Sequence, residues 1–302
     1  MDMYQKRKIR AEKKNSNQEE KLTKVGINWY PGHMAKTKRM IKENLNLVDI
    51  IYEVIDARIP SSSKIIDIEE IIKNKPRILI LTKYDLCDKT ETDKFIKEYE
   101  TLGYHVLKFN LNSDNLNKLI DLSKEILNEK IIKQKEKGLK KNTIRALVIG
   151  IPNVGKSTLI NKLAAKSKVQ VGNKPGVTKN ISWIKVQDGL EIMDTPGILW
   201  PKLDQEKEAY NLASMTAIKE DILPTDKISV YIITMLYKYY PEILKKEYNV
   251  EDISSFDDVF TTIGKKYGLI SRGGEVDYDK VETLIINDIK KGKIKNITFD
   301  RY

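Results

Sequence analysis

Short, nearly continuous apolar runs punctuate the first two thirds of the chain: Ile50 to Ile55, Arg77 to Leu81, Val106 to Leu111 and Arg145 to Ile149. Runs that do not alternate with polar residues predict strands buried on both faces. Between them apolar residues recur at helical spacing. This predicts helices near 66 to 73, 91 to 101 and 115 to 135, and an earlier one carrying Met40, Ile41, Leu45 and Val48. Strands alternating with helices predict an α/β fold, a parallel-rich sheet with helices on both faces. Two further strands, near Ile181 to Val186 and Leu190 to Met193, meet at Asp188-Gly189, a hairpin turn signal. After Pro201 the spacing is helical throughout: Leu212, Ala213 and Thr216, then Val230, Ile233, Thr234 and Tyr237, then Val281, Leu284, Ile285 and Ile289. Residues 1–26 show no periodicity. The pattern therefore predicts a flexible arm (1–26), an α/β domain (27–204) and a small all-helical domain (205–302).

Composition narrows the class. Of 302 residues, 40% are hydrophobic, enough for a core and too many for a wholly disordered chain. The longest near-apolar stretch, Ile228 to Tyr237, falls short of the ~20 residues a membrane span needs, and no secretory segment is evident. A cytoplasmic protein is expected. Cys87 is the sole cysteine, which excludes an intrachain disulfide and a cysteine zinc site. The net charge of +11 is uneven: residues 1–40 hold 11 Lys or Arg against 4 acids, and Lys124 to Arg145 hold 8 against 3. Clustered cations fit a polyanion such as nucleic acid; a solubilising tail fits the charge equally well.

The clearest chemistry lies at Gly150-Ile-Pro-Asn-Val-Gly155-Lys156-Ser157, which matches G-x-x-x-x-G-K-[ST] between a predicted strand and a predicted helix. Glycines let backbone N–H groups close around phosphate oxygens, and the helix N-terminus adds its positive end. Asn153, Val154, Gly155, Lys156, Ser157 and Thr158 form the candidate phosphate site. Lys156 suits the β- and γ-phosphates and the Ser157 hydroxyl suits Mg²⁺. Asp194-Thr-Pro-Gly197 follows the hairpin. Its carboxylate can hold the Mg²⁺ shell through water, and Gly197 can offer an N–H to the γ-phosphate. Thr178, in Gly176-Val-Thr178, can add a second hydroxyl to Mg²⁺.

A base site precedes all of this. Thr82-Lys83-Tyr84-Asp85 follows an apolar strand. Asp85 can accept from guanine N1–H and N2–H₂, a donor pair adenine lacks, and the Lys83 stem can lie over the base. This is the [N/T]-K-x-D element of GTP-binding proteins. A second strand, read as ending at Asn112-Ser113, can supply an N–H to guanine O6. In ordinary GTPases phosphate elements come first. Here the order is base, base, phosphate, switch, switch, which a sheet tolerates if old termini are joined and new ones opened. The join falls near residues 130–143, and the opening falls just after Gly197. The α/β part is therefore read as a circularly permuted P-loop GTPase domain binding GTP and GDP.

These motifs resemble those of circularly permuted GTPases of the YlqF type. The resemblance extends to Trp29-Tyr-Pro-Gly-His-Met-Ala-Lys36, Asp56-Ala-Arg-Ile-Pro60, Ala217-Ile-Lys219, Ile270-Ser-Arg-Gly-Gly274 and Asp277-Tyr-Asp-Lys280, and covers about residues 27–300. It implies GTP hydrolysis coupled to late assembly of the large ribosomal subunit. The implied partners are the large-subunit precursor, its rRNA and ribosomal proteins, for a monomer without membrane contact. Thr82 departs from the Asn of many members, keeping a hydroxyl that can tie its loop to the phosphate loop.

Many switch GTPases place a water-orienting Gln after the D-x-x-G glycine. Here that residue is Ile198, which has no hydrogen-bonding side chain. The resemblance proposes His33 as the catalytic histidine, and a neutral imidazole suits the task; a helix cap or RNA contact is the competing reading. His105 is read as structural. Asn153 resembles the asparagine of K⁺-dependent GTPases, with a turn-forming Asn as the alternative. Two other functions stay open: a slow-hydrolysing, GTP-dependent RNA-binding module, and a switch signalling to proteins.

Overall fold

A computed structural model describes residues 39–65, 72, 75–136, 143–165, 182–186, 189–194, 206–215 and 223–302. A helical segment over 39–44 runs into a 3₁₀ turn (Leu45–Leu47) and buries Ile41, Leu45 and Val48. Six strands follow: β1 (Ile50–Asp56), β2 (Arg77–Thr82), β3 (His105–Phe109), β4 (Ile144–Ile149), β5 (Ser182–Val186) and β6 (Leu190–Asp194). They form one sheet in the order β3-β2-β1-β4-β6-β5, parallel except for the β5–β6 hairpin. The strands are rich in Ile, Leu and Val, and every residue of β1 is buried, as a central parallel strand requires.

The helices of this half are α1 (Lys89–Thr101), α2 (Asn117–Ile126), α3 (Asn128–Glu136) and α4 (Lys156–Ala165). Alternate residues of β2 point to opposite faces. Leu79 and Leu81 join Ile55 and the α1 residues Phe95, Ile96 and Tyr99 in one cluster. Ile78 and Ile80 join Leu119 and Ile120 of α2 and Leu159 and Leu163 of α4 in another. Asp88 caps α1 by accepting from Thr90 and Glu91 N–H. The single helix expected over 115–135 is two. The chain closes α2 at Leu127, whose N–H bonds Ser123 O at 3.1 Å and whose side chain is buried, and α3 restarts at Asn128. The expected helix near 66–73 lies outside the described residues apart from Ile72.

The rest is helical: α5 (Glu206–Ser214), α6 (Thr225–Tyr239), α7 (Pro241–Tyr248), α8 (Phe256–Lys266) and α9 (Tyr278–Lys290). Ile228, Ile232, Ile233 and Leu236 of α6 pack with Val281, Ile285 and Ile289 of α9, in a cluster continuous with the sheet core. The apolar register expected for α6 is partly wrong: Thr234 and Tyr237 are exposed, whereas Ile228, Ile232, Met235 and Leu236 are buried. A helix packed against α5, α7 and α9 together buries more than one stripe, so a single-face spacing misreads it. Ile294 to Asp300 then return to the sheet half, where Phe299 N–H bonds Arg58 O at 2.8 Å and Ile297 N–H bonds Leu86 O at 3.3 Å.

Candidate functional site

Open parallel sheets bind ligands beyond the carboxyl ends of their strands, where successive connections leave in opposite directions. That point here lies between β1 and β4, because the chain adds β2 and β3 on one side of β1 and, after β4, places β6 and then β5 on the other side of the sheet. The register aligns Asp56 with Thr82 and Thr82 with Phe109, so the loops after β1, β2 and β3 share one edge with the loop after β4.

The 150–155 loop is shaped by backbone constraints. Gly150 (φ +152°) lies so close to β1 that a Cβ there would stand 2.4 Å from Val54 O; Gly155 has φ +103° and Asn153 φ +62°. The amides of Val154 and Gly155 donate to no described residue. Lys156 opens α4 buried; among the described residues its ammonium bonds Ile151 O at 2.6 Å and no charged partner acts on it. Burial pulls its pKa down to about 8. A buried cation among open amides fits a phosphate group. Ser157 and Thr158 follow it, exposed, in the first turn of α4. β6 pairs Leu147 with Met193, which sets Asp194 at the same end of the sheet. Thr178, Gly197, His33 and Ile198 lie outside the described residues, as does the Asp194 side chain.

The Thr82–Asp85 loop meets the phosphate loop directly. The Thr82 hydroxyl reaches Val154 O and Ile55 O. Lys83, at φ +56°, sends its ammonium to Asn153 O (2.9 Å) and to Asp56 Oδ2 (2.8 Å). Burial lowers the Lys83 pKa, and the Asp56 charge opposes that shift. Asp85 is exposed and bonds no described residue, leaving both carboxylate oxygens open. The Tyr84 hydroxyl bonds Asp93 at 2.8 Å.

The third loop differs from expectation. β3 ends at Phe109 rather than near Asn112-Ser113, because Asn110 turns the chain. Its side chain accepts from Asn112 N–H (2.9 Å) and its carbonyl from Ser113 N–H (3.2 Å). The Asn112 and Ser113 amides, from which one N–H to guanine O6 is expected, are here bonded to Asn110. Lys162 of α4 ties this loop to the phosphate helix through Leu111 O.

Asp56 and Arg58 stand beside these loops, and no local spacing marks them as a pair. Asp56 is fully buried; burial favours its neutral form, but Arg58 and Lys83 outweigh this and hold its pKa well below the carboxylate range. The one signal available was the Asp56-Ala-Arg-Ile-Pro60 segment.

A Bacillus licheniformis protein named "Ribosome biogenesis GTPase A" is 47% identical over 91% of this chain and 98% of its own length. The chain belongs to the ribosome biogenesis GTPase A (YlqF) family. A Thermotoga maritima protein of the same name is 32% identical over 91% of this chain and 94% of its own. Residues 145–256 match the family described as "50S ribosome-binding GTPase". The structure titled "Crystal structure of GNP-bound YlqF from T. maritima" matches with a TM-score of 0.60 and 28% identity, over 88% of this chain and 98% of that one. The protein is thus a guanine-nucleotide-binding GTPase of circularly permuted fold with a helical C-terminal part. No helix among the described residues is long and apolar enough to cross a membrane.

Proposed function

We propose that this GTPase serves late assembly of the large (50S) ribosomal subunit, binding rRNA of the precursor in its GTP state and leaving after hydrolysis. The observation that carries this reading is one site built from the Thr82–Asp85 and Gly150–Ser157 loops, in a chain similar to ribosome biogenesis GTPases over nine tenths of its length. The matched family's description, "50S ribosome-binding GTPase", supports the choice of subunit.

In this reading Asp85 selects guanine, Lys83 packs along the base and Lys156 neutralises phosphate charge. Ser157 and Thr178 would hold Mg²⁺ directly and Asp194 through water. Mg²⁺, when bound, withdraws charge from the phosphates. Asn153 would help hold K⁺, and His33 would orient the attacking water in place of the side chain that Ile198 lacks. The division into a basic arm (1–26), a GTPase domain (27–204) and a helical domain (205–302), a monomeric state and a cytoplasmic location belong to the same proposal.

Part of the Lys124 to Arg145 cluster is already engaged. Lys130 pairs with Asp49, and Arg145 pairs with Glu191 (3.1 Å) and lies 5.0 Å from the Trp183 ring centre. The arm is therefore proposed as the main phosphate-contacting segment.

The test is GTP turnover with and without large ribosomal subunits, in KCl against NaCl. Turnover stimulated by subunits and higher in KCl is expected. Unstimulated turnover with GTP-dependent RNA binding would favour the slow-hydrolysing module, a reading to which Ile198 lends weight.

A further inference from the structure

β1 ends in a fully buried carboxylate that holds two cations. The Arg58 backbone N–H and Nε both donate to Asp56 Oδ1 at 3.0 Å, and Nη2 donates to Oδ2 at 2.8 Å. The Lys83 ammonium donates to the same Oδ2 at 2.8 Å. Arg58 is itself buried, and its remaining Nη1 donates to Ile289 O near the end of α9 at 3.0 Å. A helix C-terminus favours a cation there. The phosphate loop, Lys83, Asp56, Arg58 and α9 thus form one unbroken series of polar contacts.

Burying two charges fully and a third in part is expensive, and packed apolar side chains would fasten β1 to β2 as well. What apolar packing could not do is hold an ammonium at a set place. Lys83 leaves its loop from a left-handed residue, so its stem must cross toward the phosphate loop. The stem's path is fixed by where its ammonium is anchored, and Asp56 is the charged anchor.

We infer that Asp56 is a positioning residue of the guanine site, acting through Lys83, and that Arg58 sets Asp56 and fastens it to α9. The inference rests on the reading of Thr82–Asp85 as the base loop. A purely structural ion pair is the competing account, in which Asp56 and Lys83 contribute independently.

A double-mutant cycle on the full chain separates the two, with GDP and a non-hydrolysable GTP analogue as ligands. Lys83→Met should weaken binding of both by the same factor, ~10-fold or more, as for loss of a charge-assisted contact. Asp56→Asn should weaken both comparably, and the double variant should be no weaker than the poorer single one within about threefold, because one residue acts through the other. Multiplying losses, or parent-like affinity in Asp56→Asn, would overturn the inference. If Asp56→Asn does not fold, Asp56→Glu keeps the charge, displaces the carboxylate by one methylene and reads the same cycle. Arg58→Lys keeps the charge but loses the two-pronged grip, so a smaller loss in the same direction is expected; no loss would remove Arg58 from the inference. Asp85→Asn is the control on the base loop. Retained GTP preference there would overturn the base-loop reading and this inference together. A change of base preference with a multiplying cycle would overturn only the Asp56 assignment.

Discussion

Asp300 grips Ser62 from 238 positions away: its Oδ2 accepts the Ser62 N–H at 2.8 Å and its Oδ1 the Ser62 hydroxyl at 2.5 Å. Ser61 N–H and Asn211 Nδ2 complete the cage. Burial nevertheless raises the Asp300 pKa, against the pull of these donors. Its folded pKa lies above the unfolded one, so its contribution to stability is full below the unfolded value of about 4 and is lost as pH rises through the folded value. Asp300→Asn puts an NH₂ group against donors and should cost ~1–3 kcal/mol at neutral pH. Urea unfolding should show the parent's advantage over this variant widening as pH falls from 7 towards 4. An advantage that shrinks would contradict the assignment.

Asp85→Asn should move base preference from GTP towards xanthosine triphosphate, because an amide complements a base carrying a carbonyl at position 2. GTP affinity should fall by about 1.5–3 kcal/mol for each hydrogen bond to the charged group that is lost. Competition binding with the two nucleotides checks this, and parent-like GTP binding would show that the base site is misassigned.

The arm should contribute phosphate contacts to ribosomal RNA. Affinity for large subunits should fall steeply with salt, and removing residues 1–26 should flatten the slope of log K against log salt. Equal slopes for the two proteins would mark the arm as a solvated tail.

His33→Ala should leave GTP and GDP affinity nearly unchanged while lowering subunit-stimulated turnover by up to ~10²–10⁴-fold. Basal turnover should fall less. Subunit binding of the same variant with a non-hydrolysable analogue is the control. Binding that collapses with turnover would make His33 an RNA or packing residue.

The placement of the candidate site residues was legible in the sequence because its signals are local. Lys156 follows Gly155 at the start of a helix, and Asp85 stands three residues past the end of a strand, so run length, glycine placement and motif spacing record them. The permuted order was legible too, since it is only the order of those motifs. Short-range signals failed where backbone detail intervened, at the Asn110 turn that shortens β3 and at Leu127, where α2 stops. Tertiary structure alone decided which distant groups meet. Arg58 and Ile289 are 231 positions apart, and Asp300 reaches Ser62 only after α9 has packed on α6 and the chain has turned back. The sequence by itself determined the existence of the strands, the permuted order of the site loops and the guanine-nucleotide class of the protein. The anchoring of Lys83 on Asp56, 27 positions away, and the seating of the helical part on the β1–β2 connection, 238 positions away at Ser62 and Asp300, depend on burial and polar pairing between separate segments, for which no local pattern exists.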